Sequence, residues 1–203
     1  METGHGQGGG HHAEPTGLSR EEVLRRIEDA GGPARVVLAG ENLERSNLRG
    51  IDLRGANLRG ANLSGAILEH AKLNGADLQK ANMARAHLLA ADMSGAMLSG
   101  ANLADANLYM ANLSRANLSM YDFKGERLLG TDGRPIGPAD LNGANLTTTN
   151  LEGTNLVGVN YKRANMTEGH EWNAITLMRD LKDSKVGRFL DYIETKFRSW
   201  LKG

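Results

Sequence analysis

The stretch Ala56-Asn57-Leu58-Arg59-Gly60-Ala61-Asn62-Leu63-Ser64-Gly65 decides the fold of this chain. It is two copies of one five-residue unit, Ala-Asn-Leu-X-X. Outward from it, a Leu-class residue recurs at every fifth position from Leu38 through Leu128, nineteen in a row, broken only by Met83, Met93 and Phe123. Two places earlier stands Ala, in thirteen consecutive units from Ala56 to Ala116. A helix spaces apolar groups by three and four and a strand by two, so a strict five fits neither as a continuous element. It does hold one local alternation: Ala and Leu lie two apart and face one side, while the Asn or Asp between them faces the other. The last two positions are rich in Gly, Ser and charged residues, which turn the chain. Each unit reads as a short extended stretch and a corner, with Ala and Leu inward. Such a unit buries its apolar face only by stacking on its neighbours, which makes the chain a solenoid.

Units such as Ala61-Asn62-Leu63-Ser64-Gly65 and Ala101-Asn102-Leu103-Ala104-Asp105 resemble the pentapeptide-repeat family, over roughly two thirds of the chain. The resemblance implies an all-β solenoid: a right-handed quadrilateral parallel β-helix with four units per coil. About twenty-five units then give roughly six coils, near 30 Å at about 4.8 Å per stacked strand. Ala suits a narrow interior and Leu fills it.

The organisation expected along the chain is a disordered Gly/His tail over 1–17, an N-terminal capping helix over 18–35, the repeats over 36–166, and a C-terminal helical cap or dimerisation segment over 167–203. In the tail, His5, His11 and His12 offer at most adventitious metal binding, and a floppy tail is the favoured reading. The first helix is announced by Ser19 and Glu22 at capping-box spacing and by Leu18 and Val23 at staple spacing, and Gly31 and Pro33 stop it. A phase break follows Leu128: the next unit, at Leu141, comes thirteen residues on, and 129–138 with its Asp132-Gly133 pair and Pro135 reads as an inserted loop. Beyond it the inward partners drift to Thr149, Thr154 and Val159, which suggests a wider or distorted end of the coil. Past Met166 a helical stripe begins, with Phe189, Leu190, Ile193, Phe197, Trp200 and Leu201 as candidate dimerisation residues. Cap, self-association and membrane-surface binding compete for this stripe.

Composition excludes several classes. The formal net charge is +0 and there is no Cys, so neither a nucleic-acid partner nor a disulfide or thiolate site is implied. No twenty-residue apolar run suggests a membrane span, and the expected location is cytoplasmic. There is no phosphate loop and no set of nucleophile and base; a narrow filled interior leaves no pocket for catalysis, so no enzyme, cofactor or metal is expected. His70 and His87 fall on one side but lack a carboxylate partner. Some members of the family shield DNA gyrase or related topoisomerases from poisons as acidic mimics of duplex DNA. That role needs an excess of carboxylates, whereas Arg45, Arg49, Arg54 and Arg59 here offset the acids.

The remaining function class is a protein-binding or scaffolding rod. On the wall of Leu48, Leu68, Leu88, Leu108 and Leu128, outward apolar residues Ile67, Leu89, Tyr109, Met110 and Leu129 accumulate, and an adjoining wall is expected to add Met97 and Met120. Such a patch marks a contact surface for a protein partner. A topoisomerase partner, in which shape and the 129–138 loop matter more than charge, is the rival, and a homodimer through the C-terminal stripe is a further expectation.

Overall fold

A computed structural model describes residues 17–165. The C-terminal stripe and the Gly/His tail up to residue 16 lie outside the described residues. Between Val36 and Asn165 the chain forms a four-walled coil. Each wall is a ladder of single parallel bridges between residues twenty apart, such as Asn42 with Asn62, Asn82 and Asn102. A unit holds only one bridged residue because it must turn immediately afterwards. The ladder bonds are regular: Leu58 N–H donates to Asp77 O at 2.8 Å, and Asp77 N–H donates back to Ala56 O at 3.0 Å.

Two local devices make each corner. The N–H of the following Ala donates to the preceding Leu carbonyl, as Ala61 does to Leu58 at 3.0 Å. The outward Asn or Asp accepts from the N–H two residues on, as Asp77 Oδ1 does from Gln79 N–H at 3.0 Å, the Asx turn these side chains favour. The second central residue of the turn has positive φ, which explains the recurrent Gly, for instance Gly95 at +65°. Among the described residues ten that are not Gly hold the same conformation, Ala90 (+52°) and Met110 (+58°) included. The inward Ala and Leu are fully buried along the rod.

The repeat leaves the coil earlier than its spacing suggests. Asn102 bridges to Asp140, and Asn117 to Asn155, so the coil passes from Met120 directly to Ala139. Phe123 and Leu128 keep the spacing of five but lie outside the coil, which corrects the wall assignment of Leu128 and extends the insertion from 129–138 to 121–138. The cause is visible in the inward positions. Tyr121 and Glu126 stand where Ala is required, one too large and the other charged. The rod is half a coil shorter as a result. The insertion forms a small antiparallel meander, with Tyr121 bridged to Arg127 and Leu129 to Pro135.

The distortion expected over Thr149, Thr154 and Val159 is absent at the two threonines, while beside Val159 the ladder lengthens, with Asn160 N–H 3.4 Å from Ala139 O, and Leu156 and Val159 are each 7% exposed. Thr149 and Thr154 are fully buried, and their hydroxyls donate to Leu108 O and Leu113 O at 2.7 Å, so the ladder keeps its spacing there: Asn150 N–H meets Ala111 O at 2.9 Å.

At the N-terminal end, α1 (Arg20–Asp29) lies over the first coil. Ser19 Oγ accepts from Glu22 N–H at 3.2 Å, while the Glu22 carboxylate is turned to Arg25 and Arg26. Those guanidiniums, Arg25 foremost, hold the Glu22 carboxyl below its ordinary range. Val23 is fully buried, with Leu18 and Ile27 packed beside it. Leu18 N–H donates to Asn42 O at 2.7 Å, the carbonyl that a preceding coil would have used.

Candidate functional site

The four walls differ in what they present. On the second wall the outward residues form an amide ladder: Asn62 Nδ2 donates to Asn42 Oδ1 at 3.1 Å, Asn82 to Asn62 at 3.2 Å and Asn102 to Asn82 at 3.2 Å. An amide both donates and accepts, so it extends such a ladder without limit; a carboxylate only accepts. Asp140 therefore ends the run below the insertion, and accepts from Asn160 Nδ2 at 2.9 Å. The fourth wall is polar, with Asp52, Lys72, Asp92 and Asn112 in its bridge column.

The meander covers part of the first wall and leaves Met97 40% exposed. Ser99 and Ser119, both outward-facing in the repeat, are fully buried beneath it, and Ile136 is buried at 1% exposure. A Cβ at Gly100 would stand 3.0 Å from Ile136 Cγ2, so that corner accepts only Gly without displacing the anchor. Tyr121 O accepts from Asn117 Nδ2 at 2.9 Å and Asn155 Nδ2 at 3.1 Å, which fastens the base of the insertion to two coils.

The third wall keeps an uncovered apolar column. Its bridge ladder runs Asn47, Ile67, His87, Asn107, Asn145 and Asn165. Beside it Leu89 and Tyr109 occupy the same position on successive coils, and Met110 turns the corner next to Tyr109. The backbone holds them in register: His70 N–H donates to Leu89 O (2.9 Å), Ala90 N–H to Tyr109 O (2.9 Å) and Met110 N–H to Thr147 O (3.2 Å). Tyr109 is 38% and Met110 56% exposed, with Leu89 and Ile67 half-buried between them and their polar neighbours.

The seven residues singled out from sequence do not form one patch. Ile67, Leu89, Tyr109 and Met110 share the third wall. Met97 lies on the first wall, opposite rather than adjoining, because two units of a four-unit coil are half a turn; its sulfur receives Gln79 Nε2 at 3.9 Å. Met120 is half-buried at the foot of the meander, and Leu129 is exposed within it, as is Phe123. The meander itself is the feature that spacing concealed, and the signal for it was Tyr121 at an inward position.

The arginines of the early coils are engaged in pairs. Arg49 binds Glu69 one coil on, and Arg59 binds Gln79. Arg54 meets Asp52 at 2.7 Å and holds the Asp52 carboxyl below its ordinary range. Arg26 reaches Glu41 at 2.7 Å. Arg49–Glu69, Arg54–Asp52 and Arg26–Glu41 thus set opposite charges side by side on the surface. His70 and His87 both lie on the third wall and are exposed. Among the described residues, no group of three or more His, Cys, Asp or Glu is placed to hold a metal, and no helix is long and apolar enough to cross a membrane.

The match to a family model follows this register. The family model described as pentapeptide repeats matches in 8 copies, over residues 38–75, 66–103, 81–119 and 139–168, leaving the meander unmatched. Among solved structures, HetL, a pentapeptide repeat protein involved in heterocyst differentiation regulation from the cyanobacterium Nostoc sp. strain PCC 7120, is 34% identical with a TM-score of 0.33; the match covers 64% of this chain and 63% of that one, less than two thirds of HetL. The Nostoc PCC 7120 pentapeptide repeat protein alr5209 is 29% identical over 73% of this chain and 99% of that one, with a TM-score of 0.46. A trypsin-treated form of QnrB1, a plasmid-mediated fluoroquinolone resistance protein, is 18% identical over 71% and 95%, with a TM-score of 0.27. Curated protein sequences give no match.

Proposed function

This chain belongs to the pentapeptide-repeat family, whose members fold as right-handed β-helices, and from that premise we propose that it acts without catalysis, as a rigid rod that binds a protein partner through its third wall. The observation that carries the reading is the column Leu89–Tyr109–Met110, apolar and solvent-facing on a backbone fixed by ladder bonds. A rigid scaffold presents such side chains with little ordering cost on binding, and Tyr and Met are enriched in interface cores. The partner chemistry that suits it is a protein surface with a complementary apolar centre. The paired arginines and the net charge of +0 favour this reading over an acidic mimic of DNA, which would need unpaired carboxylates along its length. The test is affinity capture from lysate with wild type beside Leu89→Asp/Tyr109→Asp, together with a gyrase supercoiling assay. The expected result is a partner lost in the variant and supercoiling unchanged at micromolar protein. Inhibition or protection of gyrase by wild type would transfer the reading to a topoisomerase.

A further inference from the structure

The corner residues follow a packing rule that runs from coil to coil. Each stands, by the bridge register, over the corner one coil on: Arg45 over Gly65, Lys80 over Gly100, Arg115 over Gly153. A Cβ placed on those glycines would lie 3.4 Å from Arg45 Cγ, 3.4 Å from Lys80 Cγ and 3.5 Å from Arg115 Cγ. Asp105 crowds Gly143 and Met120 crowds Gly158 in the same way. Where the preceding corner is itself Gly, as above Gly60, Gly75 and Gly95, no atom comes within 4 Å. A corner side chain therefore leans toward the following coil and lies where that corner's Cβ would be. Gly is the seat that receives it.

The third wall breaks the rule. Its corners are Gly50, His70, Ala90, Met110 and Thr148, so side chains stand on four successive coils. Elsewhere among the described residues only Arg85 and Asp105 stack in this way. The place Met110 would lean into is filled by the Cβ of Thr148, set one coil on by the bond from Met110 N–H to Thr147 O (3.2 Å). Met110 is 56% exposed. Thr148 is also a costly residue for its place. At φ +54° it is the one β-branched side chain among the ten non-Gly positions with positive φ in the described residues, and a branched Cβ suits that conformation least. Gly would relieve the strain and supply the seat. Strain that a simpler residue would remove points to a function for the residue that keeps it.

We propose that Thr148 is a positioning residue for the contact column of the third wall. Its Cβ denies Met110 the seat on the next corner and holds that side chain out beside Tyr109, where a protein partner meets it. The inference rests on the reading of the third wall as the contact surface and names the residue that shapes it. Met is unbranched and flexible; given a seat it would lie down along the rod and withdraw its apolar area from the column. A side chain already held out loses less freedom when a partner arrives.

The test is NMR of the full chain labelled at the methionine methyl groups, with a soluble gadolinium chelate as the probe of exposure. Wild type is compared with Thr148→Gly, which opens the seat, and Thr148→Ala, which keeps the Cβ. In wild type the Met110 methyl is expected to broaden more than that of Met97 (40% exposed), with Met83 and Met93 (0%) shielded. In Thr148→Gly the order reverses and Met110 broadens less than Met97, while Thr148→Ala behaves as wild type. Met97, on the opposite wall, is the reference in all three, and shielding of Met83 and Met93 reports an intact coil. Unchanged broadening of Met110 in Thr148→Gly would overturn the proposal. So would an equal fall in Thr148→Ala, which would assign the effect to the hydroxyl or the methyl, and so would exposure of Met83 and Met93 in Thr148→Gly, which would make Thr148 a support of the coil. No partner enters the measurement, so its outcome is separate from that of the capture experiment on the third wall.

Discussion

Ala139 N–H donates to Leu118 O at 2.7 Å, the same corner bond that Ala101 N–H makes to Leu98 O at 2.9 Å, although twenty-one residues rather than three separate the partners. The coil thus closes its corner as if the intervening chain were absent, and the meander hangs from a turn that is already complete. Excision of 121–138, joining Met120 to Ala139, restores an unbroken phase of five from Leu118 to Leu141. The excised protein is expected to unfold cooperatively in urea with a stability within about 2 kcal/mol of wild type, since removing a long loop changes closure entropy by less than that. Loss of the cooperative transition would contradict the assigned register.

Ile136, buried at 1% exposure against the Gly100 corner, anchors the meander to the rod. Ile136→Asp is expected to release it while leaving the coil folded. Limited trypsin digestion would then cut after Lys124 and Arg127 faster than in wild type, and the melting of the rod would shift little. Unchanged cleavage in the variant would show that the bonds at Tyr121 hold the insertion unaided.

Corner residues reverse the usual order of Ala and Gly. Ala90 sits at φ +52° and Gly95 at φ +65°, and no atom lies within 4 Å of a Cβ built on Gly95. Backbone strain alone then decides, at roughly 1 kcal/mol per residue. Gly95→Ala is expected to destabilise by about that amount despite the open space. Ala90→Gly is expected to be neutral or stabilising, whereas Ala→Gly in regular structure costs about 0.5–1 kcal/mol. Paired chemical denaturation curves would decide it.

The Asp52–Arg54 pair supplies a small pH dependence. The Asp52 carboxyl is held below its ordinary value, first by the Arg54 hydrogen bond. A carboxyl depressed in the folded state contributes stability that is present above its unfolded value, about 3.9, and lost as pH falls through the folded one. Both side chains are largely in water, at 35% and 53% exposure, so the contribution is at most about 1 kcal/mol and salt screens it. Wild type is expected to lose slightly more stability on acidification than Asp52→Asn, and high salt to erase the difference.

Much of this architecture is legible in the sequence because one constraint, a narrow interior, is written at the first and third positions of every unit. The buried Ala and Leu, the Asx turns and the Gly corners all follow from it, and so does the seal made by Leu18 and Val23. What misleads is a spacing that survives without its chemistry. Phe123 and Leu128 fall on the period, but Tyr121 and Glu126 beside them do not fit where Ala belongs. The outward surface is harder still, since nothing in the period says which wall a meander will cover. Met97 and Tyr109 are near in sequence and face opposite ways.

The most direct test of the binding rod compares three proteins in one capture experiment: wild type, Leu89→Asp/Tyr109→Asp, and the chain lacking 121–138. The account predicts that the excised chain retains the partner and the third-wall variant loses it, both with cooperative unfolding intact. Retention by the third-wall variant, with loss on excision, would contradict it and move the contact surface to the meander.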